Sequence, residues 1–182
     1  MYVVGEPSSS MAWHPVNDHP RDRAQFRIEM AVDNGPNYVY FPDWEVVTNG
    51  YLISKEETTN TQNLPVTTWI YETRYPQAPY LTVLAYGPFI ASDEEDLGDV
   101  TLQHWVDSMD YVFAGTDAFT ILREERGADY GLMFETFTDL FGPYPYDTYG
   151  YLALRDPQFA FALETQTLSI FMNLTILSLI HI

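Results

Sequence analysis

The sequence predicts a mainly β fold with one helix, and three observations predict it. Short runs rich in Val, Ile, Thr, Tyr, Phe and Trp recur between clusters of Pro, Gly, Asn and Asp. Within several of these runs apolar and polar residues alternate, the period of a half-buried strand. A helical period occurs in one stretch, from about Arg123 to Leu140, where Tyr130, Met133, Phe134, Phe137 and Leu140 recur at three- and four-residue steps.

Taken in order, residues 5–26 read as loop, punctuated by Pro7, Ser8 to Ser10, Pro15, Asn17-Asp18 and Pro20. Asp18 suits a turn cap, because a short carboxylate can accept nearby backbone N–H groups. His14 and His19 are each followed by proline, and their spacing does not suit a pair of metal ligands on one helix. Ala24 to Val32 alternates, with Phe26, Ile28 and Met30 opposite Arg27 and Glu29, and Asp33-Asn-Gly-Pro36 ends that strand. Glu45 to Thr48 and Tyr51 to Ser54 flank Asn49-Gly50, a pair that tolerates positive φ, so a hairpin is expected. Further strands are expected at Val66 to Tyr71 and Tyr80 to Tyr86, separated by a turn at Pro76 to Pro79.

A domain boundary is placed after Phe89, giving a first domain over 1–89, an acidic linker over 90–99 and a second domain over 100–176. The linker run, Ala91-Ser-Asp-Glu-Glu-Asp-Leu-Gly98, lacks the ligand spacing of a calcium loop. Val100 to Val106 reads as a strand in which His104 is packed or at the surface rather than a ligand. Glu124 and Glu125 favour the first turn of the helix, and Gly142-Pro143 stops it. Gly142 to Gly150 is then a stiff turn, with prolines fixing φ and aromatics available to wedge it. The following run, in which Thr165, Thr167, Ser169 and Phe171 alternate with Glu164, Gln166, Leu168 and Ile170, reads as a strand carrying Glu164 on rigid backbone.

Composition narrows the function. A formal charge of −18, from 26 acidic and 8 basic residues, leaves no basic patch for nucleic acid or an anionic membrane. Cysteine is absent, which excludes disulfides and thiolate metal sites. No His-Glu-x-x-His occurs, so the sequence holds no zinc-binding helix of that type. The apolar tail from Leu168 is shorter than the roughly 20 residues a span needs and contains Asn173, Thr175 and His181, so no membrane segment is expected. Residues 177–182, Leu-Ser-Leu-Ile-His-Ile, match the translation of a transposon-end sequencing adapter and are read as an artefact that cut the reading frame. Met1-Tyr-Val-Val-Gly lacks the features of a signal peptide. Localisation stays open between a soluble cytoplasmic and a secreted protein.

Two separated blocks carry a family resemblance. Phe141-Gly-Pro-Tyr-Pro-Tyr-Asp-Thr-Tyr-Gly150 followed by Phe161-Ala162-Leu163-Glu164-Thr165 resembles the segment that leads into the Gly-x-Met-Glu-Asn exopeptidase motif of the aminopeptidase N family of zinc metallopeptidases. Here Phe161 stands in place of the usual Gly and Thr165 in place of Asn. Glu6-Pro7 with Trp13 to Phe26 is similar to a second block of that family, with Val16 for Cys and Arg23 for Lys. The resemblance implies the end of an antiparallel β-sandwich domain followed by the first strands and helix of a thermolysin-like catalytic domain. It implies Zn2+ in the full-length enzyme, held by residues beyond this sequence, and an inactive chain when taken alone. The implied partner is a peptide with a free N-terminal amine. Glu6 and Glu164 would hold that ammonium group, with Ala162 and Leu163 supplying adjoining backbone. The competing reading is a non-catalytic carbohydrate-binding or protein-interaction sandwich, prompted by 14 Tyr and 4 Trp, although aromatics also simply fill β cores. A glycosidase would need a carboxylate pair that no spacing here identifies.

Overall fold

Trp69 and Tyr71 lie two residues apart on one strand, on the same face, and the first part of the chain is built around them. The computed structural model describes residues 1–5, 8–33, 44–113, 116–117, 119, 129–156 and 162–172. The chain forms two compact units, Met1–Pro88 and Phe89–Ile182.

The first unit contains β1 (Tyr2–Val3), β2 (Arg27–Asp33), β3 (Glu45–Thr48), β4 (Tyr51–Thr59), β5 (Pro65–Glu72) and β6 (Leu84–Gly87). They form two antiparallel three-stranded sheets, ordered β1-β6-β3 and β2-β5-β4. Alternation along β5 buries Thr67, Trp69 and Tyr71. Trp69 and Tyr71 cluster with Val46 of β3 and pack on Ile28, Met30 and Val32 of β2 and on Leu84 and Tyr86 of β6, so the two sheets share one core. Burying each large side chain stabilises the unit by about 1.5–3 kcal/mol. The polar tips are also satisfied, since the Tyr71 hydroxyl donates to the Val46 carbonyl at 2.8 Å and the Trp69 indole N–H to Glu45 Oε2 at 3.1 Å. Burial, with the Glu45 charge adding, pushes the Tyr71 phenol above its ordinary pKa.

Asn49-Gly50 turns the chain but does not make the expected hairpin. β3 pairs with β6 in one sheet and β4 with β5 in the other. The link is an arch between sheets, held by buried Asn49, whose Oδ1 accepts the Val83 N–H at 2.7 Å. Gly50 has φ +89°, and a Cβ there would lie 2.3 Å from the Glu72 carbonyl oxygen. The expected strand from Tyr80 begins later, at Leu84. Pro79–Leu81 forms a 3-10 turn that supplies a partner for the Thr82 N–H, while Val83 is bonded to Asn49. β4 is a largely exposed edge strand, and Lys55, Glu56 and Glu57 guard it against pairing with other chains.

In the loop before β2, Asp18 Oδ2 accepts the Ser10 N–H at 2.9 Å, the turn-capping job its residue type suits. His14 packs against Trp13, with ring centroids 4.1 Å apart, and Phe26, at 5.7 Å. Burial lowers the His14 pKa below its ordinary value of 6.5, opposed by the Asp18 charge and the nearby Ser10 backbone. His19 Nδ1 accepts the Arg21 N–H at 3.1 Å.

The second unit contains β7 (Phe89–Ala91), β8 (Glu95–Asp96), β9 (Thr101–Leu102), β10 (Trp105–Asp107), the single turn α1 (Ser108–Tyr111), β11 (Val112–Phe113), β12 (Thr116–Asp117), α2 (Tyr130–Phe141), β13 (Thr148–Leu154), β14 (Ala162–Leu163) and β15 (Leu168–Met172). The sheet order is β14-β15-β13-β10-β7, with the β8–β9 pair also attached to β13. β13 is parallel to β15, β10 and β9. The acidic stretch read as a linker thus contributes β8 and part of β7, while Asp93, Glu94 and Asp96 stay at the surface.

Gln103-His104 interrupts the strand expected over Val100 to Val106. The reason lies across the ladder, where the Gln103 carbonyl presses on Gly150 so closely that a Cβ would meet it at 1.9 Å. Gln103 N–H donates to the Tyr149 carbonyl at 3.1 Å, so β9 and β10 both run along β13 on either side of this contact. His104 is 2% exposed, stacked on Tyr151 at 4.1 Å and tilted against Tyr130 at 4.7 Å. Val106, Tyr151 and Ala153 form the nearby core, joined by Ile90, Tyr130 and Phe171.

The described part of the helix starts at Tyr130, capped by Asp129, whose carboxylate accepts the Leu132 N–H at 2.8 Å. Glu124 and Glu125 lie outside the described residues. Gly142, at φ +89°, ends the helix. Tyr130 and Phe134 pack inward, but Phe137 and Leu140, expected on the core face, are 53% and 67% exposed.

Two predictions follow from this packing. Gly150→Ala should cost at least about 1–3 kcal/mol in urea denaturation, since the added methyl must displace the Gln103 backbone. Wild-type stability would show that the β9–β10 interruption is soft. For His14 the folded pKa lies below the unfolded one, so the unfolded chain binds protons first as pH falls through 6.5. Its contribution is therefore present above that pH, is lost on acidification, and levels off below the folded pKa. Urea midpoints measured from about pH 8 to about pH 5 should fall more steeply for wild type than for His14→Phe, and equal slopes would contradict the assignment.

Candidate functional site

Glu164 lies on the side of β13 that carries β15 and β14, and β13 itself leads out of the Gly142–Gly150 turn. In the turn, Tyr144 meets Phe134 and Tyr146 edge-on at 5.3 Å each and Tyr149 at 5.9 Å. Burial raises the Tyr144 phenol pKa, with the neighbouring Tyr149 and Tyr146 adding. A cavity of about 370 Å³ adjoins this cluster, lined by Met133, Phe134, Phe137, Tyr144 and Tyr149 among others. Its walls are mainly apolar, with the Tyr144 and Tyr149 phenols and the Thr138 hydroxyl as the polar groups among the described lining.

From Gly150, β13 runs beside β15 with Gly150 opposite Leu168 and Leu152 opposite Ile170. Leu152 and Ile170 are fully buried, and their neighbours Tyr151, Ala153, Leu168 and Ser169 are buried as well, so both faces of these strands are covered. β14 adds to β15 through Ala162 opposite Phe171 and Leu163 opposite Ile170, and it ends the sheet order on that side. Leu163 is buried and Ala162 exposed.

Glu164 does not lie within a strand. The run read as one strand is broken into β14 and β15 by a link over residues 164–167, and Glu164 opens that link with its side chain exposed. Thr165 N–H donates to the Leu163 carbonyl at 3.1 Å, and the Thr165 hydroxyl donates to the Leu168 carbonyl. Thr167 adopts φ +68°, a region that β-branched residues rarely enter. These contacts override the alternation, which marks strand faces but not where a strand reverses. The Thr165 hydroxyl is the residue group that alternation missed. Its signal in the sequence was a threonine able to bond a backbone carbonyl three residues on.

Of the other predicted site residues, Ala162 and Leu163 sit on β14, the last strand of its sheet among the described residues, directly before Glu164. Glu6 lies outside the described residues, as does Phe161; Gly5, next to Glu6, is buried against Ser10. Among the described residues no three His, Asp or Glu side chains converge on a point that could hold a metal ion. Together with the missing His-Glu-x-x-His, this means the described residues do not fit a zinc centre. No helix among the described residues is long and apolar enough to cross a membrane.

No protein-family model matches the sequence, and neither does any curated protein. Solved structures do match. The M1 zinc metallopeptidase from Deinococcus radiodurans is 27% identical, with a TM-score of 0.66, over 94% of this chain and 34% of its own. A mutant form of that enzyme bound to a Tyr-Ser-Ala substrate is 26% identical, with a TM-score of 0.67, over 94% of this chain and 35% of its own. A two-domain mutant form bound to L-tryptophan is similar at 27% identity and a TM-score of 0.66. The chain thus spans about a third of the length of these structures. In fold and in sequence together, it resembles the M1 zinc metallopeptidases, an aminopeptidase family, along nearly all of its length.

Proposed function

We propose that this chain is the part of a zinc-dependent aminopeptidase that reads the substrate's free N-terminus. Residues 1–89 would close its N-terminal β-sandwich domain, and residues 100–176 would open its catalytic domain. The zinc ligands would come from outside this sequence, and the chain alone would be inactive. The observation that carries the reading is the exposed Glu164 carboxylate placed at the end of β14, within a chain 26–27% identical to M1 zinc metallopeptidases.

An edge strand can pair with an extended peptide through backbone hydrogen bonds, so β14, with Ala162 and Leu163, suits the first residues of a substrate. A carboxylate just beyond that edge accepts charge-assisted hydrogen bonds from an ammonium group, each worth about 1.5–3 kcal/mol when desolvated. That attraction fixes which residue of the peptide comes first, because a chain continuing past this point would bring a neutral amide to the carboxylate. Glu6 keeps its proposed amine-binding role from the sequence resemblance alone.

In the full-length enzyme Glu164→Gln should slow turnover of peptides with a free amine by on the order of ten- to a hundredfold, with zinc content unchanged. Rates on amino-blocked peptides should barely respond. Equal losses on both kinds of substrate would assign Glu164 to the fold or the metal instead.

A further inference from the structure

We propose that the Thr165 hydroxyl is the positioning group for Glu164, an inference that rests on the amine-binding role given to that carboxylate. The Glu164 side chain is exposed, so the part of it that the fold can position is the backbone it projects from. β14 is two residues long, with two register pairs to β15, and the link leads through Thr167 at φ +68°. A β-branched residue in the left-handed region costs free energy, so a relaxed link of different shape competes with the observed one.

Thr165 opposes that relaxation. It is 5% exposed, immediately follows Glu164, and ties the link across its width: its N–H donates back to Leu163 and its hydroxyl forward to Leu168. The hydroxyl bond joins the start of the link, next to Glu164, to the first residue of β15, which pairs with Gly150. With its hydroxyl out of water, Thr165 gives this bond more weight than a solvated one would have. The backbone from which Glu164 projects beyond β14 is thereby held in place before substrate binds.

The test is steady-state kinetics of the zinc-loaded full-length peptidase with free and amino-blocked peptides, comparing Thr165→Val, Thr165→Ser and Glu164→Gln. Valine keeps the shape and deletes the donor, so KM for the free-amine peptide should rise on the order of tenfold, with kcat changed less than KM. Serine keeps the donor and should restore KM to within about twofold of wild type. Zinc content and rates on blocked peptides should not move. A Thr165→Val enzyme with wild-type KM, a Thr165→Ser enzyme as impaired as the valine variant, or equal losses on blocked peptides would each overturn the proposal. So would a valine variant that fails to fold beside a serine variant that folds, since the hydroxyl would then serve the fold. If Glu164→Gln is impaired while Thr165→Val is not, only this inference fails. If Glu164→Gln is silent, the amine-binding reading fails and this inference with it.

Discussion

The approach of the Gln103 carbonyl to Gly150 is the constraint on which the second unit depends. It lets β9 and β10 share one side of β13 despite the break between them, and it allows no side chain at 150. β13 in turn sets the register of β15, beginning at the same residue, with Gly150 opposite Leu168. β15 then carries β14 and the link that presents Glu164. A glycine that reads locally as turn punctuation therefore governs the position of a carboxylate two strands away. The dependence is steric, and a steric constraint transmits position more sharply than a solvated ion pair does.

Much of the fold was legible in the sequence where one element is decided by its own residues. The alternation of Ile28 and Met30 with Arg27 and Glu29 gave β2, and Thr67, Trp69 and Tyr71 gave the buried face of β5. The helical spacing of Tyr130, Met133 and Phe134 gave the inward part of α2. Pairing was less legible. Asn49-Gly50 signals positive φ, and Gly50 has it, but the choice between a hairpin and an arch is made by Asn49 bonding to Val83, 34 residues away. The exposure of Phe137 and Leu140 was equally hidden, because periodicity states which residues could face a core and not whether one reaches them.

The candidate site divides along the same line. The identity of Glu164 and its neighbours Ala162 and Leu163 came from the motif that resembles the metallopeptidase family. Its local shape did not, because a strand period over 164–171 cannot show a reversal stabilised by a threonine hydroxyl and a positive φ at Thr167. The acidic composition adds to the field an ammonium group would meet, but a charge of −18 spread over the surface lacks the direction that a single carboxylate at a strand end provides. Under the proposed amine-binding role, the short link between β14 and β15 would supply that direction.

If Glu164 binds the substrate's free amine as proposed, this segment fixes cleavage at the first residue of a peptide. Mass spectrometry of products tests it directly, using the full-length enzyme on a peptide and its N-acetylated twin. The free peptide should lose N-terminal residues stepwise, and the acetylated one should give no such ladder. Internal cuts of both peptides at the same bonds would contradict it.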